Sequence, residues 1–525
     1  MTKQGRVYII GAGPGDPGLI TLRGVECIRE ADVIIYDHLV SPEILRHARP
    51  DVRRIYAGKR GGEHTLVQDE INRRLVEEAG NGAVVARIKG GDPFIFGRGG
   101  EEAEVLREAG IPFEIVPGVS SAVAVSAYAG IPLTHRNHTA SVAFVTGHED
   151  PNKGKSGLDW PALAGIGTLV FLMGVKNLPA IAENLIRCGK DPATPAALIR
   201  WGTTPDQETL TGTLGDIARK AKAGGFSPPA VFVVGGVVGL RETLNWFETK
   251  PLFGLGIVIT RPEAQAEGFA KLLRARGARV IHFPVIRIAP PESWAELDGA
   301  IDRLESYRWL IFTSANGVAF FFQRLRERGR DIRDLKGIRI AAIGPATAAA
   351  VEALRIRVDL VPEEFISEGV VRAFAGEDLR GSRILLPRAK EARDVIPEGL
   401  AKMGATVDVA TTYRTIRSDH EAAELLSFLA EEKVDAITFT SPSTVAHFLG
   451  IMGPDFHLPP KVRIACIGPV TEAAARKAGL PVDILQERYT IPELVDTIAA
   501  HFEKEGQLQN SKKMSPSRKR GSRSS

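Results

Sequence analysis

The chain has 525 residues, 44% hydrophobic and 25% charged, and this length and balance exclude both a single core and a disordered bulk. Its formal net charge of +4 is smaller than the excess carried by the last fifteen residues alone, SKKMSPSRKRGSRSS. The folded body is therefore near neutral, which excludes a nucleic-acid-binding surface as its main business and leaves a small anionic ligand open.

The opening MTKQGRVYIIGAG lacks the apolar segment and cleavage site of a secretory leader. The longest apolar stretch, around 229–240, falls short of the roughly 20 residues that cross a bilayer. A cytoplasmic location is expected, with no membrane or nucleic-acid partner. Cys27, Cys188 and Cys466 lie far apart without zinc-site spacing, so reduced core thiols and no metal site are expected.

From the N-terminus, the β-branched runs RVYIIGAG, ADVIIYD, AVVARIKG, FEIVPG, SVAFVTGH, TLVFLMG and PAVFVVG alternate with helical patterns such as DEINRRLVEEAG. This is α/β rhythm. GAGPGDPGLITL falls between the first strand and its helix, where glycines admit a ligand close to the backbone. A dinucleotide site would also use Asp37, about 20 residues on, to hold a ribose. Against that reading, Gly11 and Gly13 are followed by Asp16 where the GxGxxG fingerprint requires its third glycine. Asp37 ends the second strand at the sheet edge where α/β folds place ligands, which suits a proton acceptor. Lys59 sits in the glycine-rich AGKRGG.

The text NWFETKPLFGLG breaks the rhythm before a new strand, GIVITRP, so a boundary is expected at 250/251. Beyond it three segments recur roughly 125 residues apart: GIVITRPEAQAEGFAKLLRARGARV with SRILLPRAKEARDVIPEGLAKMGATV, FTSANGVAFFFQRL with FTSPSTVAHFL, and IRIAAIGPATAAAVEA with VRIACIGPVTEAAARKA. Two similar α/β lobes sharing a cleft are expected over 251–505, one built from about 255–288 and 414–505 and the other from 289–413. The polar, basic stretch 506–525 reads as a disordered tail.

The first half resembles the uroporphyrinogen-III C-methyltransferases, through VYIIGAGPGDPGLITLRG, DVIIYDHLVSPEIL, GKRGG, VARIKGGDPFIFGRGGEE, IVPGVSSA, AGIPLTHR, VTGH, TLVFLMG and PPAVFVVGGVVGLR. The resemblance implies a two-lobed tetrapyrrole methylase fold with S-adenosylmethionine in the cleft. It implies transfer of two methyl groups to uroporphyrinogen III, giving precorrin-2. It places the donor against Pro14, Gly90, Gly91, Asp92, Ile95, Ser120, Ser121, Met173, Gly202 and Ala230. It makes Asp37 the proton acceptor and Lys59 a proton donor or carboxylate ligand, and it makes a homodimer the expected assembly. The substrate's eight carboxylates call for a cationic rim, for which Arg60, Arg98, His135 and Arg136 are the candidates. Some relatives carry an N-terminal dehydrogenase and ferrochelatase module; here the methyltransferase begins at about residue 5, so the dimethylated product rather than sirohaem is expected.

The second half resembles uroporphyrinogen-III synthases from about residue 256 to 502, through TRP, FTSANGV, IGPAT, LPRA, TTYRT, FTSPSTV and IGPVT. That resemblance implies closure of hydroxymethylbilane with loss of water and inversion of the last ring, needing no metal or redox cofactor. It assigns Tyr413 to assist departure of the hydroxyl by hydrogen-bond donation. Thr313, Ser314, Asn316, Thr347, Ser441, Ser443 and Thr471 lie at strand-to-helix turns suited to holding carboxylates, and Arg261 and Arg388 occupy repeat-related strand ends. A two-lobed unit with a central cleft also describes binding proteins, so the alternative is an active methyltransferase with a C-terminal half that only binds ligand or is degenerate.

Overall fold

The computed structural model describes residues 5–58, 68–148, 157–418 and 420–514. Contacts divide the chain into two compact units, Met1–Gly256 with Leu273–Arg279 and Ala499–Ser525, and Ile257–Leu272 with Val280–Ile498. Among the described residues there are four sheets, each five-stranded and flanked by helices, an α/β architecture in both units.

The first sheet of the first unit orders its strands Arg53–Tyr56, Val33–Tyr36, Val84–Lys89, Arg6–Gly11, Phe113–Val116, all parallel. Parallel strands are covered on both faces, and the alternation shows it. Tyr8 and Ile10 pack with Cys27 and Ile28 of helix Leu22–Glu30. Val7 and Ile9 pack with Ile71, Leu75 and Leu106 of helices Gln68–Gly80 and Gly99–Glu108. The second sheet is mixed, in the order Val142–Thr146, Thr168–Leu172, Ala230–Val234, Pro195–Arg200, Glu208–Thr213. One face takes Ala122 and Val125 of helix Ser121–Tyr128; the other takes Leu178, Ile181 and Ile217.

In the second unit one sheet runs Arg279–His282, Gly256–Ile259, Ala436–Phe439, Arg463–Cys466, Ile484–Leu485. The other runs Ile286–Ala289, Thr406–Arg417, Arg383–Ala389, Trp309–Phe312, Arg339–Ala342. The repeat is visible in this order, because Gly256–Ile259 stands in the first sheet where Arg383–Ala389 stands in the second, and Ala436–Phe439 where Trp309–Phe312 stands. Each lobe thus takes the opening of one repeat and the remainder of the other.

Cys27 and Cys466 are free and buried, and burial pushes their thiols up to about 11 and about 12; Cys188 is only half-buried. The final helix runs Ile491–Met514, into the stretch expected from sequence to be an unstructured tail. Among the described residues no helix is long and apolar enough to cross a membrane, and no group of three or more His, Cys, Asp or Glu is placed to hold a metal.

Candidate functional site

In the first unit, loops at the carboxyl ends of neighbouring strands meet backbone to backbone. Gly91 N–H donates to the Gly13 carbonyl at 2.7 Å, and Gly13 N–H donates back to Gly91 at 3.2 Å. A Cβ at Gly11 would lie 2.5 Å from the Gly118 nitrogen, so that glycine serves the contact between loops. Gly90 and Gly202 are also packing glycines, since a Cβ would meet Leu39 Cβ at 2.7 Å and Val125 Cγ1 at 2.4 Å. Gly91 differs. Its φ is +71°, a backbone conformation that favours glycine, and a Cβ there would make only ordinary contact, 3.6 Å from Ser121 N at the start of helix Ser121–Tyr128. Ser120 caps that helix by accepting from Ala122 N–H at 3.3 Å.

Asp92 builds this loop. One carboxylate oxygen accepts Phe94 N–H at 2.8 Å and the other Gly118 N–H at 3.0 Å, fixing the turn that carries Gly91. Asp16, the residue that spoils the dinucleotide fingerprint, ties the Pro14 loop to the second lobe. Its carboxylate accepts Gly18 N–H at 2.8 Å and the Tyr128 hydroxyl at 2.7 Å, and its N–H donates to Thr203 Oγ1 at 3.0 Å. Burial, reinforced by Asp16, raises the Tyr128 phenol well above its usual range.

Exposed apolar side chains gather at these same strand ends: Leu39, Phe94 and Phe96 after strands of the first sheet, Met173 and Trp201 after strands of the second. Phe96, Met173 and Trp201 also hold positive φ, a conformation costing about 1–2 kcal/mol for a residue with a side chain. Such strain collects at functional sites. Met173 is 52% exposed, so core packing does not account for it. Pro14, Ile95, Ser121 and Ala230 are half-buried around the same loops.

Asp37 follows strand Val33–Tyr36, where one oxygen accepts Leu39 N–H at 3.0 Å and the other lies 3.8 Å from the Arg87 guanidinium. Arg87 belongs to a buried charge cluster that the sequence reading missed. Glu102, fully buried, accepts at one oxygen from Lys89 Nζ at 2.7 Å, Arg87 Nε at 3.1 Å and Gln68 Nε2 at 3.2 Å. Burial, then the neighbouring Arg87 charge, lowers the Lys89 ammonium below its ordinary pKa. The available signal was the alternation of Arg87 and Lys89 in a strand that a parallel sheet buries on both faces, where an unpaired cation is costly.

Lys59, expected as a proton donor or carboxylate ligand, and Arg60 of the expected cationic rim lie outside the described residues. Arg98 makes a two-pronged ion pair with Glu101, at 2.9 and 2.6 Å, and so is matched by its own helix. The Nδ1 of His135 accepts Asn137 N–H at 3.2 Å, and Arg136 is exposed.

In the second unit a side-chain network joins the two lobes. The Arg261 guanidinium donates to Gln265 Oε1 at 2.9 Å, and the Gln265 amide donates to Asn316 Oδ1 at 3.0 Å. Ser314, which caps helix Ala315–Glu327 through Gly317 N–H at 3.0 Å, also bonds the Tyr413 hydroxyl at 2.9 Å. The Tyr413 ring is 8% exposed and stacks on Phe320 with centroids 6.0 Å apart. Burial raises its phenol, while the hydrogen bond with Ser314 opposes the rise. Burial likewise pulls down the Arg261 guanidinium. Gln265 was not singled out from sequence; its signal was the i, i+4 spacing from Arg261 at a helix start.

The structure separates the remaining candidates. Arg388 is spent on its own loop, donating to the Arg393 carbonyl at 2.8 Å and Asp394 at 2.5 Å. Ser441 caps helix Pro442–Met452 through Thr444 N–H and bonds Ser443 Oγ at 2.9 Å. Thr347 and Thr471, in the first turns of helices Pro345–Glu352 and Pro469–Lys477, are 5% and 3% exposed. Thr313 is half-buried beside Ser314.

Among known proteins, the family described as Tetrapyrrole (Corrin/Porphyrin) Methylases matches residues 6–218, and Uroporphyrinogen-III synthase HemD matches 267–496. Porphyrin biosynthesis protein HemD of Ruminiclostridium josui is 37% identical over 94% of this chain and 98% of its own length. The uroporphyrinogen-III C-methyltransferase of Priestia megaterium is 54% identical over 45% of this chain and 99% of its own. A solved structure of uroporphyrin-III C-methyltransferase from Thermus thermophilus, complexed with S-adenyl homocysteine, shares 39% identity over 45% of this chain and 99% of that one, with a TM-score of 0.38.

Proposed function

Because the chain belongs to the tetrapyrrole-biosynthesis family that fuses a tetrapyrrole methylase to a uroporphyrinogen-III synthase, we propose that its C-terminal half closes hydroxymethylbilane to uroporphyrinogen III and its N-terminal half methylates that product twice, giving precorrin-2. The methyl donor of this reading is S-adenosylmethionine, which when bound supplies an electrophilic methyl group. The left-handed Gly91 turn against Ser120 and Ser121, and the exposed, positive-φ side chains of Met173 and Trp201 after strands of the second sheet, support donor binding in this half. Asp37 takes the proton that the macrocycle loses on methylation, with Arg87, itself held by Glu102, orienting its carboxylate from 3.8 Å. Lys59 keeps its expected role as proton donor or carboxylate ligand.

The observation that carries the cyclisation is a pair of hydrogen-bonded groups meeting at one helix start: Arg261 through Gln265 to Asn316, and, two residues from Asn316, Ser314 with Tyr413. It sets a desolvated cation and a poised phenol at the two ends of one site. Arg261 receives an acetate or propionate of the linear substrate. Tyr413 donates a hydrogen bond to the hydroxyl of the terminal hydroxymethyl group, which leaves as water, and Ser314 holds the phenol in place. Catalysis then rests on folding the substrate and positioning one donor.

Each reaction is tested with its own substrate: hydroxymethylbilane without donor for cyclisation, and uroporphyrinogen III with S-adenosylmethionine for methylation. Type III isomer from the first and a dimethylated product from the second support the proposal. Methylation without type III isomer reduces the C-terminal half to a binding module.

A further inference from the structure

The repeat in the second unit extends past the segments that sequence similarity marks. After strand Arg339–Ala342 the chain returns to pair Ala341 with Leu360; after Arg463–Cys466 it returns to pair Ala465 with Ile484. The carboxylate of Asp359 accepts Ile340 N–H at 2.8 Å, and that of Asp483 accepts Ile464 N–H at 3.0 Å. Five residues beyond each returning contact comes a tight turn. Ile366 N–H donates to the Glu364 carbonyl at 2.9 Å, and Thr490 N–H donates to Arg488 at 2.8 Å. The apex of the first turn is Phe365 and that of the second is Tyr489, 124 residues later.

Both rings are exposed, at 56% and 60%. Each rests on the glycine that caps the preceding helix: a Cβ on Gly344 would come 3.2 Å from the Phe365 ring, and one on Gly468 would come 3.0 Å from that of Tyr489. Gly344 and Gly468 follow the carboxyl ends of strands Arg339–Ala342 and Arg463–Cys466, on the strand edges from which Asn316 and Gln265 meet. Holding a large aromatic in water forgoes the free energy of burying it. Here the same backbone device does so in both lobes, although the flanking residues differ.

We propose that Phe365 and Tyr489 are paired stacking platforms, each receiving the face of one pyrrole ring of the linear tetrapyrrole. The inference rests on the synthase reading above and adds binding residues to it. Pyrroles are flat and electron-rich, so they match an aromatic ring lying against backbone with its other surface free. Two platforms on two lobes hold two rings of one chain, which lowers the entropy cost of bringing the reacting ends together.

The test uses the full-length protein with Phe365→Leu, Tyr489→Leu, both together, and the conservative Tyr489→Phe. Thermal melts verify the fold, and methylation of added uroporphyrinogen III serves as an internal control that none of these changes should move. Each leucine variant should raise KM for hydroxymethylbilane about tenfold, the size of one aromatic contact. The double variant should raise it further and release more type I isomer, and Tyr489→Phe should match the wild type. Leucine variants with unchanged KM and isomer ratio overturn the platforms while leaving the synthase reading intact. A wild-type protein that makes no type III isomer overturns both.

Discussion

At Asp37, hydrogen-bond geometry and charge point in one direction: one oxygen is anchored by Leu39 N–H and the other faces Arg87. Asp37→Asn keeps the shape and removes the proton-accepting charge, so methylation should slow by about two orders of magnitude or more with donor affinity little changed. Titration of S-adenosylmethionine beside a turnover assay checks this; near-normal turnover would demote Asp37 to a turn residue. Glu102 supports the same site from within the core. Replacing it with alanine leaves Arg87 and Lys89 buried without their shared counter-charge, a change that should cost about 3–5 kcal/mol, read by denaturant melts. Tyr413→Phe loses one hydrogen bond, to Ser314, and should cost only about 1 kcal/mol of stability. Cyclisation should nevertheless slow by about one to two orders of magnitude, the range for a positioned proton donor. The product should shift toward the type I isomer of uncatalysed closure.

Two helix caps separate structural from catalytic roles at the level of elements. Ser314 and Ser441 cap repeat-related helices, and alanine at either should cost about 1 kcal/mol. Only Ser314 touches Tyr413, so Ser314→Ala should also slow cyclisation, whereas Ser441→Ala should leave its rate near wild type. The same scale shows what the sequence made legible. Strands such as Val84–Lys89 and Thr168–Leu172 carry apolar stretches with β-branched residues and were readable. Arg53–Tyr56 opens with two arginines, Pro195–Arg200 is rich in alanine, and Glu208–Thr213 is polar at a sheet edge, so pairing rather than composition makes them strands. The repeat was readable where glycine and proline fix a turn, as in IGP, and not at Phe365 and Tyr489, where shared geometry outlasts shared sequence. The Arg87–Glu102 and Gln265–Asn316 contacts were hidden because their partners come together only in the folded chain.

For the whole molecule, the continuous part of the first unit ends at Gly256, and both of its sheets, the Gly91 loop and the Asp37 cluster lie within it. Residues 1–256 expressed alone should therefore bind S-adenosylmethionine and methylate uroporphyrinogen III; an insoluble or donor-blind fragment would count against that independence. One chain should thus perform two consecutive steps. This is tested most directly by giving the purified full-length protein hydroxymethylbilane, with and without S-adenosylmethionine, and resolving the products by isomer and by mass. Without donor the product should be uroporphyrinogen III, and with donor the same macrocycle heavier by two methyl groups. Type I isomer forming at the uncatalysed rate, with no methylated macrocycle, would contradict it.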